Sequence, residues 1–156
     1  MIYTDIPKII FTDKQNIPWK DVEHYLKKLI GKNVVIKNYG DVVHIGGDFP
    51  DEYSESKYTK KLRGALAKAK ANAAQVIEAI LINAENRRWI ENKNPKHSKE
   101  ASGGWYRYDV GFSLPVSHNG KTWKNIYSGT AIVRIKENGL FLYDIINIKK
   151  EASTPL

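Results

Sequence analysis

The sequence predicts an α+β domain spanning residues 1–156. One long helix packs on a C-terminal antiparallel β-meander, with a shorter helix and a β-hairpin ahead of them. Two observations carry this. Apolar residues recur every three or four positions from Leu62 to Ala84, the spacing of a single helix face. From Trp105 onward apolar and polar residues alternate, the period of half-buried strands, and Asn119-Gly120 and Asn138-Gly139 interrupt the pattern where tight turns belong. A helix followed by such a meander buries its apolar side by lying across one sheet face.

Residues 1–47 form the first block. Pro18 precedes Trp19, Val22, Tyr25, Leu26, Leu29 and Ile30 at helical spacing, with Gly31 as the stop. Val34-Val35-Ile36 and Val42-Val43-His44-Ile45 flank Asn38-Tyr39-Gly40-Asp41, which reads as a hairpin. Residues 48–156 carry the rest. The alanine-rich stretch from about Ser56 to Asn83 is expected to be one helix, its first half crowded by Lys57, Lys60, Lys61, Arg63, Lys68 and Lys70. A solvated basic face is the default reading of those cations, and a track for phosphates the sharper alternative. Arg87 to Ile90 starts a strand, and Asn92 to Gly104 is a polar loop holding His97. Within Trp105 to Val116, residues Tyr106, Tyr108, Val110, Phe112 and Leu114 face one way and Arg107, Asp109 and Ser113 the other. Trp123 to Ile135 and Leu140 to Ile148 complete the meander, and Glu151 to Leu156 reads as a tail.

The totals exclude several classes of function. There is no cysteine, so no disulfide framework, thiolate metal site or cysteine nucleophile. His24, His44, His97 and His118 are too widely spaced to make a zinc motif, and no metal or cofactor is expected. No apolar run is long enough for a membrane span, and Met1 to Asp13 lacks the pattern of a secretion signal; a cytoplasmic setting is expected. The net charge of +8 favours a polyanionic partner.

Two local motifs fail on inspection. Gly120-Lys121-Thr122 lacks the earlier glycine of a phosphate-binding loop, since Pro115 stands there, and a strand rather than a helix follows. Asp48, Asp51, Glu52 and Glu55 do not have calcium-loop spacing; just ahead of a helix they favour its positive N-terminus.

The constellation with chemical potential sits on the C-terminal sheet. His97 falls in a loop of Asn, Lys and Ser, where an imidazole is expected to stay solvated and to titrate near neutrality. Arg107 and Arg134 fall on the non-core faces of adjacent strands, Tyr143 and Asp144 lie in the last strand, and Ser153-Thr154 follow it. RNA cleavage without metal needs a base for the 2′-hydroxyl, an acid for the leaving oxygen and cations for the charged phosphorane. His97 suits either of the first two roles and the arginines the third. Each residue also has a plain structural reading: a loop histidine, solvent-facing arginines, a core tyrosine, an aspartate that caps a turn or pairs with an arginine. Trp105, Tyr106 and Tyr108 fit base stacking as in sheet-based RNA binders, but core packing is the commoner use of such aromatics. His44 reads as structural, and His24 and His118 as incidental.

The runs Gly104-Trp105-Tyr106-Arg107-Tyr108-Asp109-Val110, Ile126-Tyr127-Ser128-Gly129, Leu142 to Glu151 and Ser153-Thr154-Pro155-Leu156 resemble a module of large polyvalent proteins carried by phages and conjugative elements, and of related bacterial toxins. That module is grouped with the barnase–EndoU–colicin–RelE-like nucleases, whose shared core is a helix packed on a four-stranded antiparallel sheet. The resemblance covers about Tyr53 to Leu156. It implies a metal-independent ribonuclease of toxin type, frequently aimed at tRNA, acting in the cytoplasm of a bacterial cell and neutralised by a cognate immunity protein. It further implies a site built from a histidine before the sheet plus basic and hydroxyl residues on its strands, places that His97, Arg107, Arg134, Tyr143 and Thr154 occupy. Lys57, Lys60, Lys61, Lys93 and Lys149 would then contact the nucleic acid. The competing reading is a non-catalytic module that binds nucleic acid or protein; a purely structural assembly domain is a third.

Overall fold

A computed structural model describes residues 1–12, 16–93 and 101–156. Its architecture is α+β, with helices on one side of a curled, mixed sheet of seven strands. The strands are β1 (Thr4–Asp5), β2 (Asn33–Ile36), β3 (Asp41–His44), β4 (Glu85–Ile90), β5 (Trp105–His118), β6 (Lys121–Lys136) and β7 (Gly139–Pro155). Their order is β1-β5-β6-β7-β3-β2, and β4 shares the outer edge of β5 with β1.

The expected meander is present as β5, β6 and β7, paired antiparallel along nearly their whole lengths. At the first turn Asn119 and Gly120 both take positive φ, 51° and 75°, as a two-residue hairpin requires. The sheet is not purely antiparallel, however. β1 runs parallel to β5 at Phe112–Ser113, and β3 of the hairpin runs parallel to β7 at Leu140–Phe141. Residues 1–47 therefore extend the same sheet. The stretch read as a tail continues β7 to Pro155, because three bulges let its pairing with β6 resume after each interruption.

The expected long helix is divided. α1 (Trp19–Leu26) and α2 (Phe49–Glu55) precede it, and α3 (Lys57–Lys61), α4 (Gly64–Ala73) and α5 (Ile77–Ile82) replace it. Ser56 accepts from Thr59 N and so starts α3 afresh; Leu62 and Arg63 are extended, and Gly64 at φ 59° permits the change of direction into α4. A 3₁₀ turn over Ala74–Val76 separates α4 from α5, with Val76 at φ −130° and ψ 26°. Apolar periodicity survived these breaks because each segment still faces the sheet.

Alternation along β5 sorts the faces as expected. Tyr108, Val110, Phe112 and Leu114 are buried with Tyr127, Ala131 and Val133 of β6 beneath α4 and α5. The Phe112 and Tyr127 rings stack at 5.6 Å. On the reverse face, Met1 and Tyr3 lie over Gly111, where any Cβ would meet the Tyr3 ring at 2.6 Å. Asn72, fully buried in α4, accepts from Ile10 N and Phe11 N and donates to Phe11 O, clamping the N-terminal segment to the helix.

Candidate functional site

β4, β5, β6 and β7 meet on the reverse face of the sheet in an open cleft of about 360 Å³. It is lined by Ile90, Glu91, Asn92, Lys93, Trp105, Arg107, Ile132 and Tyr143. Strand register explains the gathering. Arg107 lies opposite Ile132, and Trp105 opposite Arg134 at the neighbouring non-core position. Tyr143 is the extra residue of a bulge, since Ile132 pairs with Asp144 and Val133 with Leu142. The chain enters β5 through Gly104, at φ 88°, which sits so close to Ile90 O and the Trp89 indole that a Cβ would lie 2.7 Å from the carbonyl. Trp89 Nε1 donates to Gly103 O at 2.9 Å and fixes that approach.

Trp105 and Tyr143 meet edge to face, centroids 5.2 Å apart at 74°. Arg107 is half-buried beside them, and among the described residues its buried Nε has no hydrogen-bond partner. Lys93 is exposed at the rim, and Glu91 adds one negative charge there. Such a cleft can hold a planar ring against an aromatic wall with an anionic group on a guanidinium.

The other anticipated residues are distributed as follows. Arg134 is on the expected face but is 4% exposed and bound to Asp48 at 2.6 Å, with its guanidinium 5.7 Å from the Tyr143 ring centroid. It backs the cleft and does not line it. Burial raises the Asp48 carboxyl, and the Arg134 guanidinium more than offsets this, holding it below the usual carboxylate range. Thr154 is exposed and pairs with Lys124, roughly 27 Å along β6 from the level of Arg107. His97 lies outside the described residues. Lys57, Lys60 and Lys61 are exposed on α3, on the helix-bearing side of the sheet. Lys149 is exposed, 3.5 Å from Glu151.

A second polar cluster, invisible to the basic-face reading, is buried between helices and sheet. Lys70 is not solvated: its side chain is 0% exposed, and Nζ donates to Asp144 Oδ1 and to Thr59 Oγ1, both at 2.6 Å. Asp144, 2% exposed, also accepts from Ile145 N at 2.7 Å and from Ser56 Oγ at 2.9 Å. Asp144 therefore pairs with a lysine and not with an arginine. Tyr53 and Tyr58 flank the ammonium at 4.5 and 5.0 Å. Burial drives the Lys70 ammonium down and the Asp144 carboxyl up, against the mutual attraction that favours their charges. Spacing carried a signal for it: Lys70 sits four residues after Leu66, three before Ala73 and seven before Ile77, on the apolar face.

His44 is structural, its Nδ1 sharing a hydrogen bond with Asn33 Oδ1 and its ring tilted on Phe141 at 5.2 Å. Arg87 lies between the Tyr39 and Tyr106 rings and bonds both oxygens of Asp41, which also accepts from Tyr108. Among the described residues no group of three or more His, Asp or Glu side chains could hold a metal ion, and no helix is long and apolar enough to cross a membrane. Comparison with protein-family models finds no match, and neither does comparison with curated proteins or with solved structures.

Proposed function

We propose that the cleft between β4 and β7 receives an unpaired nucleotide of RNA, and that the chain cleaves the strand there by metal-independent attack of the 2′-hydroxyl. The observation that supports this is the company Arg107 keeps: a buried guanidinium nitrogen with no partner among the described residues, beside the Trp105–Tyr143 pair, with Lys93 at the rim. An arginine in so partly desolvated a place favours an oxyanion, and the aromatic wall favours a base, so a nucleotide satisfies both. The +8 net charge draws polyanions to the surface. In this reading Arg107 holds the scissile phosphate, Lys93 a flanking one and Trp105 the base. Tyr143 orients Trp105, and His97 moves the proton. The resemblance to barnase–EndoU–colicin–RelE-like nucleases points the same way.

One observation favours binding without cleavage: Asp48 engages Arg134, which leaves Arg107 as the one arginine among the described residues that lines the cleft. The two readings separate in one experiment. End-labelled single-stranded RNA is incubated with the chain, with and without EDTA, and resolved on a denaturing gel. Cleavage expects discrete products that persist in EDTA and vanish in His97→Ala. Binding alone expects salt-sensitive retention of intact RNA, and no retention at any salt removes both.

A further inference from the structure

We propose that Lys70 and Asp144 condense spontaneously into an amide, a covalent staple joining α4 to β7. The two groups meet the requirements of an intramolecular condensation. They touch at 2.6 Å, and their side chains are 0% and 2% exposed, so water is excluded from the product as well as from the reactants. Groups held in contact react as though each were at about 10⁵ M or more, provided the geometry is a near-attack one. The surroundings also select the reactive forms. Attack needs a neutral amine and an uncharged acid, and burial among Tyr53, Tyr58 and the alanines of α4 disfavours the charged alternatives on both partners.

Thr59 and Ser56 have places in the step, and Ile145 N, 2.7 Å from Oδ1, holds the carboxyl in position. A proton passes from Lys70 Nζ to Asp144 Oδ1 along their contact, leaving an amine and a carboxylic acid. Thr59 Oγ1, held at 2.6 Å from Nζ and itself donating to Tyr53 O, keeps the amine aimed at the carboxyl. The Nζ lone pair attacks Cγ, and charge gathers on Oδ2, where the Ser56 hydroxyl donates at 2.9 Å. The Cγ–Oδ1 bond then breaks. Oδ1 departs as water with two protons that began on Nζ, and the third remains on the amide nitrogen. The ammonium and carboxylate thus become one amide and one water, with no oxidant, nucleotide or metal consumed. The staple bridges 74 positions of sequence.

The test is the intact mass of the full chain under denaturing conditions, followed by tryptic mapping. The expected mass is one water below that of the sequence, cleavage after Lys70 is lost, and a branched peptide carries both Lys70 and Asp144. Lys70→Met and Asp144→Ala are each expected at full sequence mass. A wild-type chain that stays at full mass after prolonged incubation in its folded state overturns the proposal. So does a water loss that persists in Asp144→Ala. Because the deciding measurement is made on the wild-type chain, failure of a variant to fold does not shield the idea, and the result is independent of whether the cleft binds RNA.

Discussion

Replacing Trp105 with alanine tests the cleft most directly. The indole is half-buried and forms one wall of the site. Removing a stacking ring from a single-stranded nucleic-acid site costs about 1–3 kcal/mol. That is roughly a 5- to 150-fold rise in Kd. The edge-to-face contact with Tyr143 is lost too, worth about 0.5–1.5 kcal/mol of folding stability, so thermal unfolding must accompany the binding curve. Arg107→Gln should act differently. It removes one cation and lowers the slope of log affinity against log salt by about 0.7 for a single strand, whereas Trp105→Ala leaves that slope alone. The assay is fluorescence anisotropy of a labelled unstructured RNA over a salt series, with Thr154→Ala as the distant control. Wild-type affinity in Trp105→Ala, or an unchanged salt slope in Arg107→Gln, refutes the placement of nucleotide and phosphate in this cleft.

Four further outcomes follow from the same geometry. Asp144→Ala removes the group Lys70 pairs with as the chain folds and strands the ammonium in a dry site, which alone should cost about 3–5 kcal/mol, read as a lower urea midpoint. Phe112→Ala removes a fully buried ring stacked on Tyr127 and should cost about 3–5 kcal/mol by the same measurement. Asn119→Ala forces an alanine to a φ of 51° and should cost about 1 kcal/mol, visible as a reduced melting temperature. The Asp48–Arg134 pair contributes stability that is present above the ordinary aspartate pKa and lost as pH falls through the lowered folded-state value. Since the Asp48 side chain is 56% exposed, the loss should stay under about 1 kcal/mol and disappear in Asp48→Asn when stability is compared at pH 7 and in acid.

Much of the sheet was legible because alternation is a local property. The inward run Tyr108, Val110, Phe112, Leu114 and the Asn119-Gly120 turn need only neighbours to be read. What escaped depends on contacts distant in sequence. β1 is two residues long and exists because Ser113 offers its carbonyl to Ile6 N and its hydroxyl to Asp5. The break at Leu62–Arg63 has a visible cause in Gly64, but alanine richness on both sides outweighed it in the periodicity. For the cleft, alternation placed Arg107 and Arg134 on one face correctly. It carried no information on partners, so it could not show that Asp48, more than 80 positions earlier, engages one of them. The roles proposed for the lysines of α3 depended on reaching the same surface, and the helix layer puts them on the other side of the sheet.

The bulge in β7 links the two polar features of the molecule. With Ile132 opposite Asp144 and Val133 opposite Leu142, Tyr143 is surplus to the pairing and projects into the cleft, while Asp144 reaches through to Lys70 and Ile145 still fills the core. A bulge left to itself can shift by a residue, because the backbone around the extra position is unpaired. While the chain folds, before any amide forms, it cannot: moving Asp144 by one place would put a carboxylate against Ala131 and leave the Lys70 ammonium without its partner, a cost of several kcal/mol. The buried pair therefore fixes which residue is extra, and with it the ring that meets Trp105. The wall of the cleft is set from the opposite face of the sheet.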